Sequence, residues 1–205
     1  MRQPSGTDDG SGEGFWRFSL ALYARPGIGD ALIAIQDRAG RDINLILFGL
    51  WLGVSRRRRL DAAGLTAAEA AIAPLNAAAL APLRDLRRRL KTAADEDLKM
   101  LRRRILGLEL AAERLVQYRL AAQFPGAPVG EPETDRLAAA EANLALYLGD
   151  DARSPEARML CRALAAFIGA GHSQQRPEGE TRPRRRAGYS APPPPSIARV
   201  RRRRF

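Results

Sequence analysis

The chain contains 205 residues, of which 45% are hydrophobic and 6% aromatic. This length and composition suit one globular domain with an aliphatic core. The formal net charge of +11 favours an anionic partner, but residues 171–205 hold ten Arg and two Glu, whereas residues 1–170 hold 24 basic and 21 acidic side chains. Cys161 is the only cysteine, which excludes an internal disulfide and a zinc site built from several cysteines.

Composition divides the chain into three segments. Residues 1–12 are rich in Gly, Ser and Asp, which predicts a disordered N-terminus, and residues 13–170 hold the apolar, helix-forming segments. Residues 171–205 combine Arg runs with four consecutive prolines and predict a disordered, Arg- and Pro-rich tail. No apolar run follows Arg2 as in a signal peptide, so we expect a cytoplasmic protein.

Residues 13–40 predict two short helices. Apolar residues recur at spacings of three and four over 13–24, and the pattern stops before Pro26. Asp30 as N-cap and Gly40 as the C-terminal glycine bracket the second helix.

The next segment, "RDINLILFGLWLGVSRRRR", resembles a membrane span with a positively charged stop. Its apolar run, Ile43–Val54, holds only 12 residues with Asn44 among them, whereas a span needs roughly 20. We therefore predict a buried core helix with Trp51 as an anchor. Arg56–Arg59 would then lie at its C-terminus, where the helix dipole favours cations.

Thr66 and Glu69 have the spacing of a capping box at the start of the following helix. Pro82 lies within this helix and predicts a kink or break, because it lacks an N–H and clashes with the preceding turn.

The longest predicted helix covers residues 92–124. Six of its apolar residues alternate spacings of three and four and predict an a/d seam that faces the core. These residues are Leu98, Leu101, Ile105, Leu108, Ala112 and Leu115.

Two further helices are predicted over 135–148 and 155–168, the second with Ser154 as N-cap. No segment alternates as a strand does. The fold class is therefore all-α, a single helical bundle of six or seven helices within residues 13–170.

Cationic side chains share faces of two neighbouring predicted helices. The first group is Arg84, Arg87, Arg88 and Lys91, and the second is Lys99, Arg102 and Arg103. Together they could hold a phosphate backbone. Alternatively they are solvated charges that support helix termini, since acidic residues 95–97 open the next helix.

Glu109 and Glu113 lie one helical turn apart and could ligate a metal or transfer protons. Metal sites of helical bundles use Glu-x-x-His, but the only histidine, His172, lies at the start of the tail. We therefore expect ion pairs with the arginines of the "PLRDLRRR" segment, residues 82–89.

Gln36, Asp42 and Asn44 surround the apolar run, and a buried polar side chain must be hydrogen-bonded. They are predicted to be satisfied structural groups, with a ligand pocket as the alternative. The full candidate polar cluster is Gln36, Asp42, Asn44, Arg84, Arg88, Glu109 and Glu113.

The tail supplies a second candidate site, for a polyanion. Its residues are Arg184, Arg185, Arg186, Arg201, Arg202, Arg203 and Arg204. Because the chain has no glycine-rich phosphate loop and no Ser/His/Asp set, no catalytic, cofactor-binding or metal-binding residue is predicted.

Three stretches resemble an uncharacterised proteobacterial family of small, all-helical proteins with a domain of unknown function. They are "FWRFSLALYARPGIGDALIAIQDRAGRDINLILFGLWLG", "PLRDLRRRLK" and "LRRRILGLELAAERLVQYRL", and they cover Phe15 to Leu120. The resemblance implies a bacterial, helical protein and carries no site residues.

The function expected from the sequence is a non-enzymatic protein–protein interaction or adaptor role, with an unknown partner or by self-association. Binding of nucleic acid or an acidic surface through the tail is the alternative. A third hypothesis is an enzyme that acts on a small anionic substrate. We do not expect a transmembrane protein.

Overall fold

The computed structural model describes residues 11–125 and 135–173, and every regular element in these ranges is helical, which confirms the predicted all-α class. These ranges contain eight α-helical elements, and a π-helical turn, Asn76–Leu80, joins α4 to α5 without interruption, so that they form seven continuous helices. The helices are α1 (Gly12–Tyr23), α2 (Ile28–Ala39), α3 (Ile43–Arg56), α4 (Ala62–Leu75), α5 (Ala81–Arg89), α6 (Glu96–Gln123), α7 (Arg136–Leu148) and α8 (Pro155–Ser173).

Most helices begin at a side chain that accepts a backbone N–H, as helix N-termini require. Ser154 does so at α8, as predicted, accepting from Ala157 N at 3.1 Å. The capping box predicted at Thr66 is wrong, because α4 begins earlier with Asp61 as its N-cap. Asp30 is not a cap either, since α2 begins two residues before it.

The helix does not break near Pro82 as predicted. A π-helical turn, Asn76–Leu80, lies just before Pro82 and keeps the helix continuous. A wider turn relieves the clash between a proline ring and the carbonyl four residues earlier. The continuous helix Ala62–Arg89 is long and apolar enough to cross a membrane by length and composition, and 17% of its most apolar window is buried. One such helix does not establish a membrane protein; α1 and α2 pass the same test only as a pair bent by 101°.

Helix α3 forms the centre of the core, which confirms the interpretation of the apolar run as a buried helix. Every residue from Ile43 to Val54 is buried. Trp51 is fully buried and stacks on Phe15 with ring centroids 5.0 Å apart. Gly53 lets α7 approach closely, because a Cβ there would lie 2.3 Å from Ala140 N.

The arginines at the C-terminus of α3 and in the loop after it also cover this core. α3 ends at Arg56, as predicted, and the Arg56 guanidinium lies 5.8 Å from the Trp51 ring centroid. Arg58 lies 4.8 Å from the ring centroid of Phe124. This part of the charge run therefore packs on aromatic faces.

The prediction that the a/d seam of α6 faces the core is wrong. Among its six residues only Ile105 and Ala112 are buried, whereas Leu98, Leu101, Leu108 and Leu115 are 40–59% exposed. The buried side of α6 instead carries three polar residues and further apolar ones. They are Ile105, Glu109, Ala112, Glu113, Val116, Gln117, Leu120 and Ala121.

Candidate functional site: a basic cleft

An open cleft of about 500 Å³ lies between α2, α5 and α6, and we call it the basic cleft. Five of its lining side chains are cationic and one is a carboxylate. The lining residues are Ile33, Gln36, Asp37, Arg84, Arg87, Arg88, Lys91 and Arg102. Five cations that converge on one concave surface attract an anionic group.

Buried carboxylates of α6 fix the two innermost arginines. Arg87 Nε lies 2.5 Å from Glu109 Oε2, and Arg84 Nη2 lies 2.9 Å from Glu113 Oε1. A second contact of 3.4 Å joins Arg84 Nε to Glu109 Oε1. The predicted ion pairing of these glutamates with the 82–89 segment is confirmed.

This network has a structural consequence for the cleft. The side chains of Glu109 and Glu113 are only 1% and 6% exposed, and a charge buried in this way must be paired to be tolerated. Neither carboxylate lines the cleft. They hold Arg84 and Arg87 in fixed orientations and leave the cleft lined mainly by cations.

The outer cations differ in how they are held. Arg88 is 70% exposed, and its guanidinium lies 3.8 Å from the Asp85 carboxylate, a loose surface pair. Arg102 Nε is buried yet has no hydrogen-bond partner within the described ranges. Arg102 therefore lines the cleft with an Nε–H donor that no described residue uses.

The structure brings together only part of each sequence-predicted cluster. Five of the cations predicted to hold a phosphate backbone line the cleft, namely Arg84, Arg87, Arg88, Lys91 and Arg102. Arg103 does not line it. Lys99 lies 2.7 Å from Glu96 in an exposed pair. Of the candidate polar cluster, Gln36 lines the cleft with Arg84 and Arg88.

Asp42 and Asn44 lie elsewhere, at the start of α3. Asp42 Oδ1 caps that helix by accepting from Asn44 N at 2.7 Å, and its Oδ2 accepts from Asn76 Nδ2 at 2.9 Å. The backbone N–H of Asp42 donates to the Tyr147 hydroxyl at 2.9 Å. Asn44 Oδ1 accepts from Gln117 Nε2 at 3.1 Å. These contacts are structural, as predicted, but Asn44 is only partly satisfied, because its buried Nδ2 has no hydrogen-bond partner within the described ranges.

Burial changes the acidity of two groups near these helices. Tyr147 is buried against α3, and burial raises the pKa of its hydroxyl to about 12. Burial likewise raises the pKa of the Cys161 thiol, which keeps it protonated at neutral pH.

Asn143 is a polar residue that sequence reasoning missed. It is 1% exposed, and its Nδ2 donates to Gly49 O and to Arg58 O, both at 2.9 Å. Its Oδ1 accepts from Leu60 N at 2.7 Å. The only feature of the sequence that indicates its burial is its position, an amide on the apolar face that Leu144 and Tyr147 define.

The predicted polyanion-binding arginines 184–186 and 201–204 lie outside the described residues, as does most of the predicted tail. The side chain of His172 is also outside them. Within the described ranges no group of three or more His, Cys, Asp or Glu side chains could hold a metal ion.

The fold and the cleft define an all-helical bundle protein with a cleft lined mainly by cationic side chains. The chain belongs to the family described as "Protein of unknown function (DUF2390)", whose model matches residues 14–120. This confirms the resemblance to an uncharacterised family, and the matched range includes every residue that lines the basic cleft. No curated protein and no solved structure matches the chain.

Proposed function

We propose that this protein is a non-enzymatic interaction protein that binds an acidic segment of a partner protein in the basic cleft. The observation that carries the proposal is the convergence of five cations on a cleft of about 500 Å³ with one carboxylate at its lining. Guanidinium groups pair with carboxylates through two parallel hydrogen bonds, which makes arginine suited to acidic side chains.

Binding is favoured over catalysis because of where the carboxylates lie. Glu109 and Glu113, the residues of the enzyme hypothesis, are held in ion pairs behind the arginines. A general acid or base must reach the substrate, and these two groups do not line the cleft.

A partner protein is favoured over a small anion because apolar surface adjoins the cations. Ile33 lines the cleft, and Leu98 lies one helical turn before Arg102 on the same side of α6 with 40% of its surface exposed. An apolar residue beside several arginines is typical of protein interfaces.

The test is titration of a fluorescent peptide of alternating Glu and Leu into the full-length protein, followed by anisotropy. The cleft variant Arg88→Gln/Lys91→Gln/Arg102→Gln is expected to bind at least about tenfold more weakly, since charge-assisted hydrogen bonds contribute about 1.5–3 kcal/mol each. It leaves the buried ion pairs of α5 and α6 intact.

A matched control removes three exposed arginines outside the cleft: Arg59→Gln/Arg103→Gln/Arg162→Gln. It lowers the net charge equally and is expected to change the affinity less than about twofold, apart from general screening. Equal losses in both variants would reject the cleft as the site. Tighter binding of single-stranded nucleic acid that disappears on removal of residues 174–205 would favour the tail hypothesis instead.

A cytoplasmic location, and a chain that does not span a membrane, accompany this proposal as predictions from the sequence. Bacterial, and specifically proteobacterial, origin is a prediction of the same kind.

A further inference from the structure

The exposed leucines of α6 form a regular surface that the fold does not use. Leu101, Leu108 and Leu115 are spaced by seven residues and are 44%, 59% and 55% exposed. Seven residues are almost two helical turns, so the three side chains lie within roughly 20° of one line along the helix. We call this surface the leucine face.

The leucine face is distinct from the basic cleft. Arg102, the cleft residue on α6, is rotated by roughly 120° from Leu108 at 100° per residue. A proposal about the leucine face therefore stands independently of the proposed function.

Charges at the two ends of the leucine face are self-complementary. Asp97 and Arg119 each lie eleven residues from Leu108, and eleven residues are close to three turns, so both fall within roughly 20° of the same line. Both are exposed, and neither has an ion-pair partner within the described ranges. They lie about 33 Å apart along the helix.

We propose that a second copy of this chain binds to the leucine face, with the two α6 helices antiparallel and a twofold axis at Leu108. This register sets Leu101 level with Leu115 of the other copy, and Leu108 level with itself. It also sets Asp97 level with Arg119 of the other copy, twice. A single surface that meets its own copy in this way is what a twofold dimer requires.

Small and flexible residues fit the same register. Arg104 lies about 40° from the line of this face, and the twofold axis brings Ala111 of the other copy, on the same side, to within about 1.5 Å of its level along the helix. Its aliphatic stem can cover the small alanine while its charged end reaches water.

Sedimentation velocity of the full-length protein over a concentration series is the first test, and a dimer is the expected result. Leu108→Glu is expected to weaken the dimer by at least roughly thirtyfold, the effect of losing a central interface residue. Leu86→Glu, at a leucine of α5 that is 44% exposed, serves as the matched control and should leave the dimer intact. A monomer at every concentration, or equal effects of both variants, would overturn the proposal.

Cross-linking tests the register. In a Cys161→Ser background, a short bismaleimide should join two copies of Leu108→Cys, because the axis passes through that residue. Leu115→Cys should not cross-link, because the two copies of that residue lie about 21 Å apart along the helices. Equal cross-linking of both variants indicates parallel helices and contradicts the proposed register.

Reversal of the end charges tests the ion pairs. Asp97→Arg alone is expected to weaken the dimer, and Asp97→Arg/Arg119→Asp should restore it, with circular dichroism to verify that α6 stays helical. Failure of the double variant to recover would remove this pair from the interface. If removal of residues 174–205 created the dimer, the tail would be the native occupant of the face and the proposal would be wrong.

Discussion

Arg87 and Glu109 form a short ion pair, 2.5 Å from Nε to Oε2, within the interface that joins α5 to α6. Removing one partner of a buried pair leaves an uncompensated charge, which costs about 3–5 kcal/mol. Glu109→Ala should therefore lower the free energy of unfolding by about that amount in denaturant titrations. Glu96→Ala, which removes a partner that is 80% exposed, should have little effect and is the control. A loss below about 1 kcal/mol for Glu109→Ala would contradict the burial of this network.

Asn143 joins α7 to α3 and to the loop that follows it through three hydrogen bonds to backbone groups. Asn143→Ala is expected to lower the free energy of unfolding by about 3 kcal/mol, at about 1 kcal/mol for each lost bond. Thermal unfolding followed by circular dichroism measures the change, with Gln123→Ala at an exposed position of α6 as reference. Similar midpoints for the two variants would show that the amide is dispensable.

Gly53 sets the spacing between α3 and α7. A Cβ at this position would lie 2.3 Å from Ala140 N and 2.4 Å from Ala140 Cα, and these are backbone atoms that cannot rotate away. Gly53→Ala should therefore destabilise the protein by about 2–4 kcal/mol. Gly107→Ala, where the added carbon meets nothing within 4 Å, should stabilise it by about 0.5–1 kcal/mol, because alanine favours the helix. Effects of the same sign would refute the close approach.

Tyr147 predicts a loss of stability in alkaline solution. Its pKa is raised by burial to about 12, so between pH 10 and pH 12 the unfolded chain releases this proton while the folded chain retains it. The contribution of Tyr147 is complete below pH 10, and stability falls as the pH rises through this window, by about 2 kcal/mol. Denaturant titrations of the wild type and Tyr147→Phe across the window measure this slope. An unchanged slope in the variant would mean that other groups cause the loss.

The helices themselves could be predicted from the sequence, but the facing of α6 could not. Apolar periodicity assigned Leu108 and Leu115 to the core, whereas Glu109 and Glu113 occupy the buried side. The burial of a carboxylate depends on arginines more than 20 residues earlier in the chain, which no local pattern of hydrophobicity reports. Where the core is purely aliphatic and aromatic, as around Trp51, the apolar pattern was sufficient to predict which residues are buried.

The candidate site was predictable in its charges but not in its boundaries. The shared face of Arg84, Arg87 and Arg88 followed from helical spacing. The pairing of Arg84 and Arg87 with the glutamates of α6 was also expected from the sequence. Gln36 lies beside these arginines, whereas Asp42 and Asn44 lie away from them. Both placements depend on how α2 and α3 pack. That packing is a tertiary property, and no spacing along one helix encodes it.

The most direct test of the central claim is an NMR titration of the full-length protein with the acidic Glu/Leu peptide, observing the Nε–H signals of the arginines. Binding in the basic cleft predicts that the Arg102 signal moves most, because Arg102 lines the cleft and its Nε has no hydrogen-bond partner in the described ranges. The Arg87 signal, held by Glu109, should move least among the cleft arginines. Changes confined to residues 174–205, with the Arg102 signal unmoved at saturation, would contradict the account.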